Sequence, residues 1–318
     1  MFISYDLAYF GRELNRLRKD MGYSQSYVQK KVGVNVDTIR KIENGEVKPR
    51  YETLELLSLA YKFDLLELLK SCRSNKHLVD YHDELDYITA NYHKDKLIEL
   101  EKSIHDNFSS KTGVSLVNIH ELTQFKVFIS SIRKFHSSFS IEWDAAELDL
   151  IRSLRLTIPN FNIKKYKDYK YSYIEIRILF LISLLIAENH SNYEISIEIL
   201  TFILDSLMND VTNTKYKDFL IIKVYSNIAY NFHMLDEHQK VIETSNAGIN
   251  FCINKQTHHS LYSLFYRKGI AQFSLGYKGY MESLKTAIFL LKLEGFNDLY
   301  MQYIEITKKK YGIFIPKV

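Results

Sequence analysis

The apolar residues that follow position 24 recur at helical spacing and stop at a glycine. Ser24 is a good N-cap, because its hydroxyl can accept a backbone N–H of the next turn. Gly33 follows the last apolar position, where a residue with positive φ is needed to end the helix. The pattern therefore predicts one short helix and a tight turn, with three apolar positions on the helix: Tyr27, Val28 and Val32.

A second short helix is predicted directly after this turn. Asn35 can cap it, and the run 36–42 places Ile39 and Ile42 on one face. Leucine and alanine recur at three-residue steps in 51–61, so this segment can close a small helical core over that face. The opposite face of the second helix is left for a partner and carries Val36, Asp37, Arg40 and Lys41.

Three sequence segments around this turn, LNRLRKDMGYSQ, GVNVDTIRKIENG and KPRYETLELL, resemble the Cro/C1-type (XRE) helix-turn-helix family over roughly residues 7 to 70. The resemblance implies five helices, with the third entering the major groove of double-stranded DNA. It also implies that Gln25 touches phosphate and that Arg18 pairs with Glu43. The implied groove-facing residues are Asn35, Val36, Asp37, Arg40 and Lys41, and Thr38 and Lys48 complete the DNA-binding candidates.

Two of these positions depart from residues common in the family. Asp37 can accept a hydrogen bond only from cytosine N4 and repels phosphate, while Val36 suits a thymine methyl. We expect Glu43 to matter for folding more than for base reading, since removing one partner of a buried pair leaves a poorly compensated charge.

Composition favours an all-α protein and adds little about partners. The 318 residues are 46% hydrophobic and 25% charged, with three prolines and eleven glycines. A formal net charge of +4 would not reveal a DNA-binding protein, so the electrostatic footprint is expected to be local and salt-sensitive. We find no targeting signal, and the two distant cysteines suit a reducing compartment, so a cytoplasmic protein with no membrane association is expected.

Beyond residue 69 the pattern changes to a series of paired helices. Breaks are predicted at 189–192, 235–237 and Gly276, and the spacing between them is typical of helical-pair repeats. Small residues, at Ala229, Gly269 and Ala271, would let neighbouring helices approach closely. The longest apolar run, Ile178 to Ala187, is about half the length that spans a bilayer, so we interpret it as a buried helix.

These units resemble degenerate tetratricopeptide repeats from about residue 75 to 314, with a weaker match over 75–168. The predicted fold is all-α: a five-helix helix-turn-helix domain over 1–70, followed by a right-handed α-solenoid of degenerate tetratricopeptide-like helix pairs over 71–318. This combination is similar to the Rgg/PlcR-type (RRNPP) peptide-pheromone receptors of Gram-positive bacteria. The resemblance implies a cytoplasmic homodimeric transcription regulator of quorum sensing, whose solenoid holds a short linear signalling peptide and thereby changes operator binding.

Side-chain amides are the natural groups to hold an extended peptide, because each supplies a hydrogen-bond donor and an acceptor. Asn227 and Asn231 are the leading candidates, and Arg267 could receive a peptide carboxylate. Packing for the tyrosines and simple solvation for Arg267 remain open alternatives. The full candidate set is Asn227, Asn231, Lys223, Tyr230, Tyr262, Tyr266, Arg267, Arg177 and Asn189.

Catalytic, cofactor and metal sites are not predicted, since the sequence contains no HExxH, GxSxG, CxxC or phosphate-binding glycine loop. The pair His258-His259 lacks a carboxylate at a recognised metal-ligand spacing. We interpret the acidic run from Asp80 to Asp86 as a solvated helix face. Two alternatives stay open: repeats that recruit a protein partner instead of a peptide, and an enzyme-modulating repeat scaffold with a vestigial DNA-binding segment.

Overall fold

The computed structural model describes residues 5–72, 76–90, 94–109, 119–136, 140–210 and 215–316. Within these ranges the chain forms sixteen α-helices and one short 3-10 helix, without a β-strand, so the predicted all-α class is confirmed. Contacts between residues group the chain into two compact units, 1–84 with 103–122 and 85–102 with 123–318. The predicted division at residue 70 stays a prediction.

Five helices open the first unit, as expected: α1 Leu7–Asp20, α2 Gln25–Val32, α3 Val36–Glu43, α4 Tyr51–Tyr61 and α5 Leu65–Ser71. Helix α1 packs on α3, while α2 packs on both α3 and α4. The Ser24 hydroxyl accepts from Tyr27 N at 3.1 Å, and Gly33 ends α2 with φ 76°. Ile39 and Ile42 are buried as predicted, so the opposite face of α3 is left exposed.

A buried carboxylate joins α1, α2 and α3. Glu43 accepts from Arg18 through two bonds, Nε to Oε1 at 2.6 Å and Nη2 to Oε2 at 2.8 Å, which confirms the predicted pair. Asn15 Nδ2 and Gln25 Nε2 also donate to Oε2, at 2.8 and 2.9 Å. Gly11 allows this close packing, since a Cβ there would lie 2.4 Å from the backbone oxygen of Glu43.

Eleven further α-helices and the 3-10 helix follow within the described residues. Helices α6 Lys76–Ala90, α7 Lys94–Ser109 and α8 Ile119–Phe135 each contribute residues to both units. The second unit continues with α9 Ser140–Leu154, the 3-10 helix Ile163–Asp168, α10 Tyr173–His190, α11 Tyr193–Met208, α12 Lys215–Met234, α13 His238–Asn254, α14 Leu261–Ser274, α15 Tyr280–Leu293 and α16 Asn297–Tyr311. The predicted breaks at 235–237 and Gly276 fall between helices and are confirmed, whereas the break at 189–192 was placed two residues too early, since α10 continues through His190.

In the second unit, the helices α10, α12 and α14 lie side by side. From α9 to α16 each helix packs on the next, and α12 also contacts both α10 and α14. Gly269 permits the approach of α14 and α15, because a Cβ there would lie 2.8 Å from the side chain of Leu284. The first helices of successive pairs therefore form one continuous layer.

Two sequence interpretations have different outcomes. The apolar run Ile178 to Ala187 lies in α10 and is largely buried, as predicted. The interpretation of Asp80 to Asp86 as a solvated face is wrong at Asp86, which is only 7% exposed because its carboxylate bonds to cations of α10 and α12. None of the described helices is long and apolar enough to cross a membrane.

Replacing Glu43 with glutamine should destabilise the first unit by about 3 kcal/mol, because Arg18 would keep its buried charge without a carboxylate. Hydrogen exchange measures this loss of stability, because the backbone amides of α1 and α3 should exchange faster in the variant. The matched control is Glu46→Gln, which removes an exposed carboxylate only 3 residues away and 3.8 Å from Arg40. Equal protection in both variants would contradict a structural role for Glu43.

Candidate nucleic-acid interface and ligand cavity

The exposed face of α3 carries a small ion-pair network. Asp37 Oδ1 accepts from Arg40 Nη2 at 2.7 Å, and Asp37 Oδ2 lies 2.7 Å from Lys41 Nζ. These side chains remain between 43% and 54% exposed. The two bonds, the one from Lys41 first, hold the pKa of the Asp37 carboxyl below its ordinary value. Both oxygens of Asp37 are therefore engaged within the helix, which competes with the expected contact to cytosine.

Other predicted DNA contacts surround this network. Asn35 caps α3, since its Oδ1 accepts from Asp37 N at 2.8 Å, and Val36 and Thr38 are partly exposed beside it. Lys48 is exposed, with Nζ 4.7 Å from the ring centroid of Tyr5. Gln25, the expected phosphate contact, donates to Glu43 in the DNA-free chain. Because only the amide N–H groups can donate to phosphate, Gln25 would bind it through the second N–H of Nε2 or after leaving Glu43.

A cavity of about 350 Å³ opens on the layer of inner helices in the second unit. It is lined by α10, α12 and α14, which begin successive pairs, together with α6, α8 and α16. Apolar and aromatic side chains make up much of the wall, as is usual for a ligand site. The lining residues include Asp86, Phe128, Tyr173, Arg177, Leu184, Glu188, Lys223, Asn227, Tyr230, Asn231, Tyr262, Arg267 and Tyr303.

One charged cluster in the cavity is centred on Asp86. Its Oδ1 accepts from Arg177 Nη2 and from Lys223 Nζ, both at 2.8 Å, so one carboxylate oxygen is shared by two cations. The Arg177 guanidinium also lies 5.1 Å from the ring centroid of Phe128 and 5.9 Å from that of Tyr173. Arg177 has a side chain only 5% exposed, whereas that of Lys223 is 21% exposed. A ligand could therefore reach the cluster from the Lys223 side.

A second charged cluster lies around Arg267. The guanidinium carbon of Arg267 lies 4.6 Å from the ring centroid of Tyr230. In the described part of the chain, the buried Nε of Arg267 has no hydrogen-bond partner. Burial raises the pKa of Tyr230 well above its ordinary value, and the negative charge of Glu188 raises it further. Burial, and then the charge of Arg267, lowers the pKa of His233 to about 4, so this imidazole is neutral at pH 7. Arg267 is thus a cation that can bind an anion in a partly dry setting.

The two candidate asparagines already use their amide nitrogens. Asn227 Nδ2 donates to Lys223 O at 2.8 Å on its own helix, and Asn231 Nδ2 donates to Ser196 Oγ at 2.8 Å on α11. Each side chain therefore offers its amide oxygen as an acceptor for a ligand N–H. Each amide nitrogen also has a second N–H that these bonds do not use, so the expectation that each side chain acts as donor and acceptor toward a peptide stays a prediction.

Seven of the nine candidate ligand-binding residues line the cavity, so the structure brings most of the predicted set together. Tyr266 does not line it, because it packs against α16 with its hydroxyl 2.9 Å from Thr307 Oγ1. Asn189 also lies outside it and donates to Asp144 Oδ1 at 2.7 Å. Binding roles for all nine stay predictions.

Sequence reasoning missed two acidic cavity residues, Asp86 and Glu188. Glu188 had a usable signal, since it is the first charged residue after the long apolar run of α10. Asp86 had no local signal that distinguished it from its acidic neighbours. No group of three or more metal-ligating side chains occurs in the ranges that the structure describes.

Comparison with known proteins supports two statements. Residues 14–68 match the model of a helix-turn-helix family, so the first unit carries a helix-turn-helix domain. The whole chain has the fold of several solved bacterial proteins, although sequence identity is low in each case. A search of curated protein sequences finds no match.

The structural matches cover nearly the full length of both chains. Bacillus thuringiensis PlcR in complex with the peptide PapR7 and DNA has a TM-score of 0.71 at 14% identity, covering 93% of this chain and 99% of that one. ComR from S. thermophilus in complex with DNA and its signalling peptide ComS has a TM-score of 0.60 at 14% identity, with 96% and 100% covered. The Streptococcus dysgalactiae SHP pheromone receptor Rgg2 has a TM-score of 0.57 at 17% identity, with 95% and 99% covered.

Replacing Asp37 with asparagine should strengthen binding to duplex DNA of arbitrary sequence, because it removes a negative charge and releases Arg40 and Lys41 from their ion pairs. The slope of log affinity against log salt should become steeper by about one. Fluorescence anisotropy with a labelled duplex over a salt series measures both quantities. Asp64→Asn, at the start of α5, is the matched control; an unchanged slope in Asp37→Asn would show that Asp37 does not restrain these cations.

Proposed function

We propose that this protein is a transcription regulator that reads double-stranded DNA with its helix-turn-helix domain and binds a short linear signalling peptide with its repeat domain. Peptide binding changes the affinity for the operator. In this role the protein acts in the cytoplasm as a homodimer and catalyses no reaction. The observation that carries the proposal is the cavity on the inner helices, where seven independently predicted residues meet.

The known ligands of the structural relatives support this proposal. Solved complexes hold DNA and a peptide together in PlcR and in ComR. The helix-turn-helix domain found over residues 14–68 suits the DNA part, and the cavity suits a small ligand with hydrogen-bonding groups. We propose a functional boundary between the two domains near residue 70.

On the DNA side, α3 enters the major groove with its exposed face. Arg40 is the candidate for guanine, Val36 for a thymine methyl, and Lys41 and Lys48 for phosphates. Two copies of α3 are needed, because a single short recognition helix reads too few base pairs for a specific site. A homodimer supplies the second copy and predicts an operator with two related half-sites.

On the peptide side, the chemistry of the cavity selects an anionic ligand. Three cations, Arg177, Lys223 and Arg267, and two carboxylates, Asp86 and Glu188, line it. The excess of positive charge favours a ligand with at least one carboxylate. Arg267 is the proposed receptor for the C-terminal carboxylate, since its buried Nε has no hydrogen-bond partner among the residues that the structure describes.

The double variant Arg40→Ala with Lys41→Ala should lower the affinity for the best duplex by roughly 100-fold, since each side chain contributes about 1 to 3 kcal/mol to recognition. The duplex is obtained by selection from a random-sequence pool with the wild-type chain. Lys164→Ala with Lys165→Ala removes the same charge from an exposed segment of the second unit and should bind as the wild type does. Unaltered affinity in the α3 variant would refute the assignment of α3 to the groove.

A synthetic library of random linear octapeptides with free C-termini tests the peptide part. Mass spectrometry should identify peptides retained by the wild-type chain that also change its affinity for the selected duplex. Arg267→Ala should weaken the best peptide by about 10- to 100-fold, the usual size of a lost charge-assisted hydrogen bond. The same peptide with a C-terminal amide should bind both chains equally.

Arg152→Ala is the control for this loss of charge, because that side chain is 72% exposed on α9. Retention of peptides without any effect on DNA affinity would leave binding intact and refute the regulatory coupling. Retention of no peptide by the wild-type chain would refute the peptide-binding function itself.

A further inference from the structure

Asp86 occupies a position that a ligand carboxylate would be expected to take. Its Oδ1 lies 2.8 Å from both Arg177 Nη2 and Lys223 Nζ, which is the distance of a charge-assisted hydrogen bond. All three side chains line the cavity, and the side chain of Lys223 is partly open. The chain itself thus supplies an anion to a pair of ligand-facing cations.

Exchange of this anion for another would preserve the local electrostatics. Arg177 and Lys223 are largely buried, so removing their carboxylate without replacement would leave two poorly compensated charges. A carboxylate brought by a ligand can replace Asp86 at the same donors without that cost. The displaced Asp86 side chain then only has to find water or another donor.

We propose that Arg177 and Lys223 form an acid subsite, and that an acidic side chain of the bound peptide displaces Asp86 from it. The inference rests on the proposed function and specifies its ligand. The peptide carries one carboxylate for Arg267 and a second, from aspartate or glutamate, for the pair Arg177 and Lys223. Asp86 is the internal competitor for the second one.

The separation of the two clusters sets the position of the acidic residue. Arg177 and Glu188 are about 16 Å apart along α10, and Lys223 and Tyr230 are about 10 Å apart along α12, at 1.5 Å per residue. An extended chain advances about 3.3 Å per residue. The acidic residue therefore lies three to five positions before the C-terminal carboxylate at Arg267.

Displacement of Asp86 has a consequence for α6. The carboxylate joins α6 to α10 and α12, and Leu85 and Ile88 remain as buried apolar contacts of the same helix. Loss of the ionic contact should loosen this end of α6 without unfolding it. Hydrogen exchange of α6 amides should therefore become faster when an acidic peptide binds.

The decisive experiment is a double-mutant cycle between Asp86 and the acidic residue of the peptide. An octapeptide selected by the full-length wild-type chain is compared with its glutamine or asparagine counterpart, on the wild type and on Asp86→Asn. Without its competitor, the subsite should bind the acidic peptide about tenfold more tightly, while the neutral peptide changes by about twofold or less. Asp86→Glu restores a competitor and should behave as the wild type does.

Asp149→Asn is the matched control, because Asp149 forms a 2.7 Å ion pair with Lys134 in the same unit but does not line the cavity. It should change the affinity for both peptides equally or not at all. If Asp86→Asn changed the affinities for both peptides equally, or bound the acidic peptide more weakly than the wild type does, the subsite would be overturned. Selection of peptides that have no acid at the stated positions would overturn it as well.

If the wild-type chain retains no peptide, the proposed peptide-binding function fails. A peptide-free measurement with acetate then still tests the subsite on its own. Sodium acetate at 100 mM, compared with sodium chloride at equal ionic strength, should raise the Tm of Asp86→Asn by about 2 °C or more, since acetate replaces the missing carboxylate. The wild type and Asp149→Asn should show no difference between the two salts. Equal behaviour of all three chains would overturn the subsite regardless of the peptide result.

Discussion

The close approach of neighbouring helices in the second unit is the constraint on which the cavity depends. Gly248 and Gly269 stand where a Cβ would lie within 3 Å of the Leu264 and Leu284 side chains. Ser196 on α11 links α10 and α12 by hydrogen bonds, because its hydroxyl donates to Ser183 O at 2.7 Å and accepts from Asn231 Nδ2. A larger residue at Gly248, on α13, would press against Tyr225 of α12 and Leu264 of α14, two helices that line the cavity.

A cavity constrained in this way holds charged side chains in fixed positions, where water screens their charges less than it does at the surface. Asp86, Arg177 and Lys223 contribute little net stability as a buried cluster, since desolvation offsets most of their attraction. Their value lies in fixed geometry: two cations are aimed at one oxygen in a wall that is otherwise rich in apolar and aromatic groups. Arg18 and Glu43 differ from this cluster, because their pair joins three helices and is buried away from any ligand.

Local sequence signals predicted local structure well. Gly33 specifies a left-handed turn because it lacks a Cβ, and Asn35 specifies a cap through its side-chain oxygen. The breaks between repeats coincide with polar or glycine-containing turns. Site residues were harder because each helical step rotates the side chain by about 100°. Arg267 therefore faces the cavity, whereas the adjacent Tyr266 packs against α16. Asp86 contacts a residue 137 positions away, and no short-range pattern encodes such a contact.

Regulation requires a contact that differs between two states of the protein, because a ligand shifts an equilibrium only by its differential affinity. An amide oxygen that accepts a peptide N–H adds affinity but discriminates weakly, since Asn227 and Asn231 are anchored within their own helical layer. The carboxylate of Asp86 discriminates strongly: it bonds to the inner helices only when no other acid does. A tenfold preference at this one position corresponds to about 1.4 kcal/mol, within the usual range of coupling free energies between sites. The exchange of one carboxylate for another is thus sufficient to connect occupancy of the cavity with the state of α6.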